Sequence, residues 1–429
     1  MDKVKTQTNP KPKKKIRISG IMVVMIVLSC VTIYSSAAAT NEDQFVMLFN
    51  TSDEAQELYD NVNIISCDSD SKKQISLEEG ITVICGRNLN TTLIGSNDTK
   101  EYGLTEQLCK TAYTGEDAIS ETYMAIGIKQ DDCTQIEYIS VTYESDVSKE
   151  KIDEFVNAEL ESENVDRRIR QFIYKQVTNE ESIYNDKANS VRSSEQTMRV
   201  ATAIDTNYYI ANYTTNTGSV FPLMIYKKNI TYDAYIEAGA LSDDRYYIVS
   251  RVRVTPGNDI SSFDAAEIAS LNASDLYNDT YSNAIAIKGV RTDFVNLNSS
   301  TDSFIALHPE RSVNDVNEET ISISVGLPAS VSLSFDVVTN TASKINLETD
   351  FSASGTSTVK FEAVKRFLQF TNPCLSTEEF HYNAVIYMGT TRSVMTTEVG
   401  TSVLYYFQNA GPNNAIWAGS ARTLTYNNG

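Results

Sequence analysis

Alternation of apolar and polar residues is clearest between residues 321 and 363, and it predicts β-strands. The pattern is interrupted at Pro328 and by a polar turn at 339–343. Because successive side chains of a strand face opposite sides, we expect an antiparallel sheet with one buried and one solvated face. The apolar positions are Ile321, Ile323, Val325, Leu327, Val331, Leu333, Phe335, Val337, Ile345, Leu347, Phe351, Ala353, Val359, Phe361 and Ala363.

The same segment has a second interpretation. Serine and threonine fill many of its polar positions, as in the hairpins that β-barrel pore-forming toxins insert into lipid. Charged residues in or beside the hairpin disfavour insertion, and they include Asp336, Lys344 and Glu348. We therefore favour a soluble sheet, with the pore-forming hairpin as the alternative.

A helical period replaces the alternation between residues 149 and 177. Apolar residues recur there every three or four positions, with charges on the other face and Ser148 as the N-cap, so the pattern predicts one long helix. Residues 178–198 are polar and predict a linker. A shorter helix is predicted over 262–271, capped by Ser261 or Ser262.

Strand-like runs rich in tyrosine and β-branched residues occupy much of the remaining chain, for example 136–143, 206–213 and 245–254. The sequence therefore predicts a mainly β protein. We expect an α+β membrane-proximal region over 41–198 and a β-rich domain over 199–429, with an antiparallel β-sandwich or barrel at the C-terminal end.

An uncharged, largely apolar run covers residues 20–39 and follows a basic tail at 1–19. Twenty helical residues span about 30 Å, the thickness of a bilayer core. The run predicts an N-terminal transmembrane helix, or a signal sequence cleaved after the small residues Ala37–Ala39. Both interpretations place the remainder of the chain across the membrane, because Lys and Arg stay on the cytoplasmic side.

The charge is unevenly distributed along the 429 residues. Residues 1–17 carry seven Lys or Arg against Asp2, which is 7 − 1 = +6, so the remaining chain carries −20 − 6 = −26. Such an acidic body repels phosphate backbones, and we expect no specific nucleic-acid binding by the ectodomain. There are only two histidines, His308 and His381, and no phosphate loop or hydrolase motif. We expect no enzyme activity, no cofactor and no metal site.

Four cysteines cluster within 67 residues, namely Cys67, Cys85, Cys109 and Cys133. In an oxidising compartment they predict two disulfides with three possible connectivities. Cys374 stands apart and is expected to be a buried thiol. Eight Asn-x-Ser/Thr sites are candidates for glycosylation: Asn50, Asn90, Asn97, Asn212, Asn229, Asn272, Asn278 and Asn298.

Two stretches resemble the major envelope proteins of the white spot syndrome virus of shrimp. The first is the strand Val331–Val338 with the following Asn/Thr turn and Lys344-Ile345-Asn346; the second runs from Met388-Gly389-Thr390-Thr391 into Gly400–Gly411. The resemblance covers about 90 residues and implies a structural envelope protein with a β-barrel outside the particle. The basic tail and the long stretch between anchor and match depart from that family.

These observations together predict a single-pass structural protein of a virion envelope, with its C-terminal domain exposed outside and a role in host attachment. Expected partners are the lipid bilayer, other envelope or inner-layer virion proteins, a host surface receptor and further copies of the chain. The alternatives are a secreted β-barrel pore-forming toxin and a cell-surface adhesin.

Overall fold

The computed structural model describes most of the chain beyond residue 52. The described residues are 53–67, 73–77, 80–89, 91–97, 100–105, 118–129, 134–178, 197–237, 244–314, 335–336, 344–364, 374–375, 379–391, 394–407 and 416–427. The anchor predicted at 20–39 lies outside them. Within the described part, no helix combines the length and the apolar content needed to cross a bilayer.

Eighteen strands and five α-helices are assigned in these residues. The helices are α1 (Asp53–Asp60), α2 (Lys149–Glu159), α3 (Ser162–Thr178), α4 (Ala265–Ala273) and α5 (Asp279–Ser282). The strands are β1 (Val62–Ser66), β2 (Lys73–Ser76), β3 (Ile81–Cys85), β4 (Thr91–Asn97), β5 (Lys100–Thr105), β6 (Ala118–Lys129), β7 (Thr134–Glu144), β8 (Thr197–Thr214), β9 (Val220–Glu237), β10 (Asp244–Pro256), β11 (Ile285–Asn296), β12 (Asp302–His308), β13 (Phe335–Asp336), β14 (Lys344–Asp350), β15 (Thr356–Val364), β16 (Phe380–Thr390), β17 (Val394–Phe407) and β18 (Ile416–Asn427).

The strands form two sheets. Sheet A has the order β1-β3-β6-β7-β8-β9-β10-β16-β12, and β13 adds a short pairing to β16. Sheet B has the order β14-β15-β11-β17-β18-β5-β4-β2. Most pairs are antiparallel, but β1 with β3, β2 with β4, and β7 with β8 are parallel. The prediction of a mainly β protein is confirmed.

One hydrophobic core takes side chains from both sheets. Tyr226 and Ile248 of sheet A and Val290, Phe361 and Val403 of sheet B belong to the same buried cluster. Alternating burial along β15, where every second residue is buried, shows why the period-2 pattern produces this arrangement. The sheets therefore pack face to face.

The helix predicted over 149–177 is present as two helices, so the prediction of one continuous helix is wrong. The break falls at Leu160 and Glu161, where the Asn164 side-chain amide donates to the Ala158 carbonyl at 2.7 Å. The same carbonyl also accepts from the Glu161 N–H at 3.2 Å, so side chain and backbone together close the end of α2. Helices α2 and α3 form the crossover that the parallel pair β7 and β8 requires.

Two further boundaries differ from the predicted ones. The helix predicted over 262–271 begins at Ala265, because Asp264 and Glu267 form a capping box in place of Ser261 or Ser262. The domain boundary predicted at residue 198 falls inside one compact unit, Asp53–Gly429, since each sheet contains strands from both halves of the chain.

Candidate functional site

The chain crosses from sheet A to sheet B after the edge strand β12. Val313 forms an isolated bridge to the edge strand β14: its N–H donates to the Leu347 carbonyl at 2.8 Å, and the Leu347 N–H donates back at 2.9 Å. The Ser312 hydroxyl accepts from the Thr349 N–H at 2.9 Å. These contacts attach the chain to the free edge of sheet B just before residue 315, where the described range stops.

The chain next enters the described structure in β13. Phe335 lies opposite Tyr382 and Asp336 opposite His381, both on β16. On the same side of β16, residues 385–390 pair with β12. We name the two attachment points, Ser312–Val313 and Phe335–Asp336, the edge junction. They bracket the uncharged stretch Thr320–Phe335. Among the described residues, each attachment point contacts two residues of a strand, Leu347 and Thr349 of β14 or His381 and Tyr382 of β16.

The second half of the alternating segment belongs to the core of sheet B. Ile345 and Leu347 on β14 and Val359, Phe361 and Ala363 on β15 are all buried. Seven residue pairs join β14 to β15, and seven join β15 to β11. The predicted strands with a buried face are thus present within 344–364, whereas Ile321–Ser334 and Val337 lie outside the described residues.

A buried ionic cluster joins the helices to the outer face of sheet A. Glu267 of α4 accepts from Lys227 Nζ at 2.9 and 2.8 Å, from the Tyr208 hydroxyl at 2.5 Å and from Arg168 at 3.3 Å. Arg168 also donates to Glu159 at 2.8 Å. Burial opposes the charge on Arg168, but the surrounding acidic groups raise its pKa above the usual value. This cluster fixes α2, α3 and α4 on the sheet.

A second polar group lies between the sheets. Arg422 of β18 donates to Asp205 of β8 at 2.7 and 3.1 Å, so it links sheet B to sheet A. Lys228 of β9 is wholly buried, and its ammonium donates to the Thr401 carbonyl at 3.0 Å and to the Ser420 hydroxyl at 2.7 Å. Burial lowers the pKa of Lys228 from 10.5 to about 8.

Lys228→Met tests this burial penalty through its pH dependence. The folded pKa of about 8 lies below the usual value of 10.5, so between these values the unfolded chain binds more protons. The contribution of Lys228 to the free energy of unfolding therefore rises with pH between about 8 and 10.5. Below about pH 8 the full cost of burying the charged ammonium applies. In urea unfolding, we expect the unfolding free energy of Lys228→Met minus that of wild type to decrease as the pH rises from 7.5 to 10.

Tyrosine titration is common to both proteins and cancels in this difference. If the difference in unfolding free energy between Lys228→Met and wild type does not change with pH, Lys228 keeps its usual pKa in the folded protein.

Charged residues inside apolar strands are the signal that sequence reasoning missed here. Lys227 and Lys228 interrupt the apolar run of β9, and Asp205 and Arg422 interrupt their strands in the same way. A charge at a predicted core position requires a buried partner, because an isolated buried charge is too costly. That rule could have marked these positions, although it cannot identify the partners.

The two histidines occupy separate environments. His308 is buried at the end of β12, with Nδ1 3.6 Å from Glu310, and burial lowers its pKa. His381 on β16 has Nε2 2.5 Å from Glu379. Among the residues that the structure describes, no group of three His, Cys, Asp or Glu side chains is arranged to hold a metal ion.

The cysteine candidates are only partly brought together. The Cys67 N–H donates to the Cys85 carbonyl at 2.9 Å, which in a parallel pair places Cys67 opposite Gly86. Cys67 and Cys85 therefore point to opposite faces of the sheet, and both are free thiols. This geometry disfavours a disulfide between Cys67 and Cys85. Two connectivities remain, in which one of them pairs with Cys109 and the other with Cys133; Cys109 and Cys133 lie outside the described residues. Cys374, predicted to be buried, is half-buried.

The glycosylation candidates differ in their accessibility. Asn272 is exposed on the last turn of α4. Asn229 lies within β9, and its buried side-chain oxygen has no partner in the described structure. The Asn278 side chain caps α5, accepting from the Thr280 N–H at 3.0 Å. Asn272 is thus the best placed of these three. Asn97, Asn212 and Asn298 lie in or beside strands, while Asn50 and Asn90 fall outside the described residues.

No known family model matches the chain, and no curated protein matches it. Similar solved structures include the delta-toxin of Clostridium perfringens, at 8% identity and a TM-score of 0.27 over 55% of this chain and 89% of that one. A pore forming protein matches at 7% identity and 0.23, over 55% and 92% of the two chains. The membrane-inserted NetB toxin of Clostridium perfringens matches at 6% and 0.21, over 52% and 94%. Such TM-scores do not establish a shared fold, and they leave the function open.

Proposed function

We propose that this chain is a membrane-active surface protein without catalytic activity, whose amphipathic segment around residues 320–338 enters a lipid bilayer as a β-hairpin. The edge junction is the observation that carries this proposal. It attaches the two ends of the segment to the rims of two sheets, through Val313 to β14 and through Phe335–Asp336 to β16. In the proposed process the segment leaves the body, while the buried cluster that the described strands share remains packed.

The composition of the segment supports the same proposal. Thr320–Phe335 contains no charged residue. Asp336 follows Ser332 and Ser334 at every second position, so in a strand all three side chains lie on the same, polar face. The charge of Asp336 would therefore point away from lipid. Two arms of eight and nine residues, 320–327 and 330–338, approach the roughly 9–11 residues of a membrane-spanning strand.

Lys344, Glu348 and Asp350 would place charges in an inserted hairpin that covered 321–363. These three residues belong to β14, which packs in sheet B, so they no longer count as part of an inserted arm. Each backbone hydrogen bond at the edge junction contributes only about 0.5–1.5 kcal/mol. The energy needed to break the described contacts of the edge junction is correspondingly small.

A disulfide across the edge junction tests the proposal. Asp336→Cys with His381→Cys joins two residues that lie opposite each other in register. We expect the full-length oxidised variant to release dye from phosphatidylcholine vesicles at least about tenfold more slowly than wild type, because the segment cannot leave. Reduction should restore the wild-type rate.

The matched control is Glu348→Cys with Lys360→Cys, which joins opposite residues of β14 and β15. This pair stays together in the proposed process, so its oxidation should leave dye release unchanged. Peptide mapping identifies the engineered bridge among the native cysteines. The proposal fails if wild type releases no dye, or if the bridged edge-junction variant releases dye at the wild-type rate.

A second candidate is the structural envelope protein. The uncharged run at 20–39 behind a basic tail favours it, because that pattern is typical of a retained single-pass anchor with the tail inside. In this function the β-rich body stands outside the particle and meets envelope proteins, a host receptor or other copies of itself. Extraction of purified particles with mild detergent tests it: the chain should leave with the envelope fraction, and recovery with the stripped core would contradict it.

A further inference from the structure

The hairpin of β8 and β9 contains the longest uncharged described stretch of an otherwise acidic chain. Thr206–Tyr226 holds no Asp, Glu, Lys or Arg, while the neighbouring residues Asp205 and Lys227 are both charged. The body of the protein carries about one charged residue in five, whereas this stretch carries none. It includes the whole tip of the hairpin.

The tip is a tight turn that projects into solvent. The Gly218 N–H donates to the Thr215 carbonyl at 2.9 Å, and the Thr215 N–H donates to the Ser219 carbonyl at 2.8 Å. Gly218 has φ of +83°, a conformation that favours glycine. Val220 is 54% exposed at the start of β9, although it is a β-branched apolar residue.

An aromatic group lies directly behind this tip. The Phe221 and Tyr281 rings stack with their centroids 4.7 Å apart. Tyr213 lies 5.4 Å from Tyr281 and 4.7 Å from Phe407 of sheet B. Phe221, Tyr281 and Phe407 are half-buried. Aromatic rings with one apolar and one wet side are typical of residues at a membrane surface.

The strand registers place this tip at the same end of the body as the edge junction. Tyr226 lies opposite Pro256, so the hairpin continues past β10 by six residues, or about 20 Å. At that end of β10, Arg253 pairs with His381, which in turn pairs with Asp336 of the edge junction. One end of the protein therefore carries both the uncharged tip and the attachment of the amphipathic segment.

We infer that this tip, comprising residues 214–222 with Tyr281 and Phe407 behind it, is a docking surface for the interface of a zwitterionic lipid bilayer. The inference rests on the proposed function and names the surface by which the body meets lipid. An uncharged tip loses no ion hydration on contact with headgroups, whereas the acidic body is repelled by anionic lipid. Docking here turns the end of the protein that carries the edge junction toward the bilayer.

Hydrogen exchange of the full-length chain tests the inference. Phosphatidylcholine vesicles should slow amide exchange in peptides covering 214–222 by at least about fivefold, since the turn would lie in the headgroup region. Peptides covering 62–66, an exposed edge at the opposite side of sheet A, should not change. Because exchange is read for each segment, partitioning by residues 20–39 does not obscure the result.

Two matched variants complete the experiment. Val220→Asp places a charge at the tip, whereas Ile64→Asp places one at an equally exposed site, 54% against 55%. We expect Val220→Asp to remove the protection of 214–222 and Ile64→Asp to retain it. Unchanged exchange at 214–222, no vesicle binding by wild type, or equal protection in both variants would overturn the inference.

The failure of the proposed function gives a different result. Protection at 214–222 without dye release would retain the docking surface and reject the membrane-inserting segment. Dye release that is the same in wild type and in Val220→Asp would reject the docking surface and retain the membrane-inserting segment.

Discussion

Phe361→Ala is expected to destabilise the protein by about 3–5 kcal/mol, a large part of a typical native stability of 5–15 kcal/mol. Phe361 is wholly buried on β15, with its ring 4.9 Å from that of Tyr382 and 6.1 Å from that of Phe380. Both neighbours belong to sheet A, so truncation opens a cavity between the sheets. Urea unfolding of the full-length chain measures the loss.

Phe351→Ala is the matched control for this prediction. Phe351 follows β14 directly and is 46% exposed, so its truncation should change the unfolding free energy by less than about 1 kcal/mol. If both variants unfold at the wild-type midpoint, the packing of β15 against sheet A is wrong.

Glu267→Gln is expected to cost a similar amount, about 3–5 kcal/mol, for a different reason. The substitution keeps the size of the side chain but removes the negative charge that Arg168 and Lys227 share. An amide cannot accept from both cations and from the Tyr208 hydroxyl, so buried positive charge is left without compensation. Thermal unfolding should show a clear drop in midpoint, together with looser attachment of α3 in hydrogen exchange.

Glu163→Gln on α3 is the corresponding control. Glu163 is 86% exposed and lies 3.9 Å from Arg167, a surface pair that contributes less than about 1 kcal/mol. Equal midpoints for Glu267→Gln and wild type would mean that the buried cluster does not hold the helices on the sheet.

Much of the local structure could be predicted from the sequence. The alternation at 345–353 and 359–363 predicts strands with a buried face, and the structure confirms burial of Ile345, Leu347 and Phe361. The prediction is wrong for Phe351 and Ala353, which are exposed because β14 ends at Asp350. The period of 149–177 predicts helix correctly except at Leu160 and Glu161. These successes share one cause: the side-chain periods of strands and helices are local properties, readable from a few consecutive residues.

The candidate site was harder to predict. The local pattern is the same in the alternating run at 321–337 and in the run at 345–363, and it predicts one hairpin. In the structure β14 and β15 find partners in β11 and, across the core, in sheet A, whereas the first run is described only at Phe335–Asp336, which pair with β16. Strand pairing joins residues far apart in the chain, so alternation by itself does not identify the partner of a strand.

The sequence by itself determined the strand-rich class, the apolar faces, the uncharged run at 20–39 and the uncharged stretch Thr206–Tyr226, because each depends only on neighbouring residues. Only the tertiary structure decided that both halves of the chain share two sheets, and that Lys228 and Glu267 are buried among distant partners. It also placed the tip of the β8–β9 hairpin at the end that carries the edge junction. These features depend on long-range register, which is set by the packing of whole sheets and has no signature in any single segment.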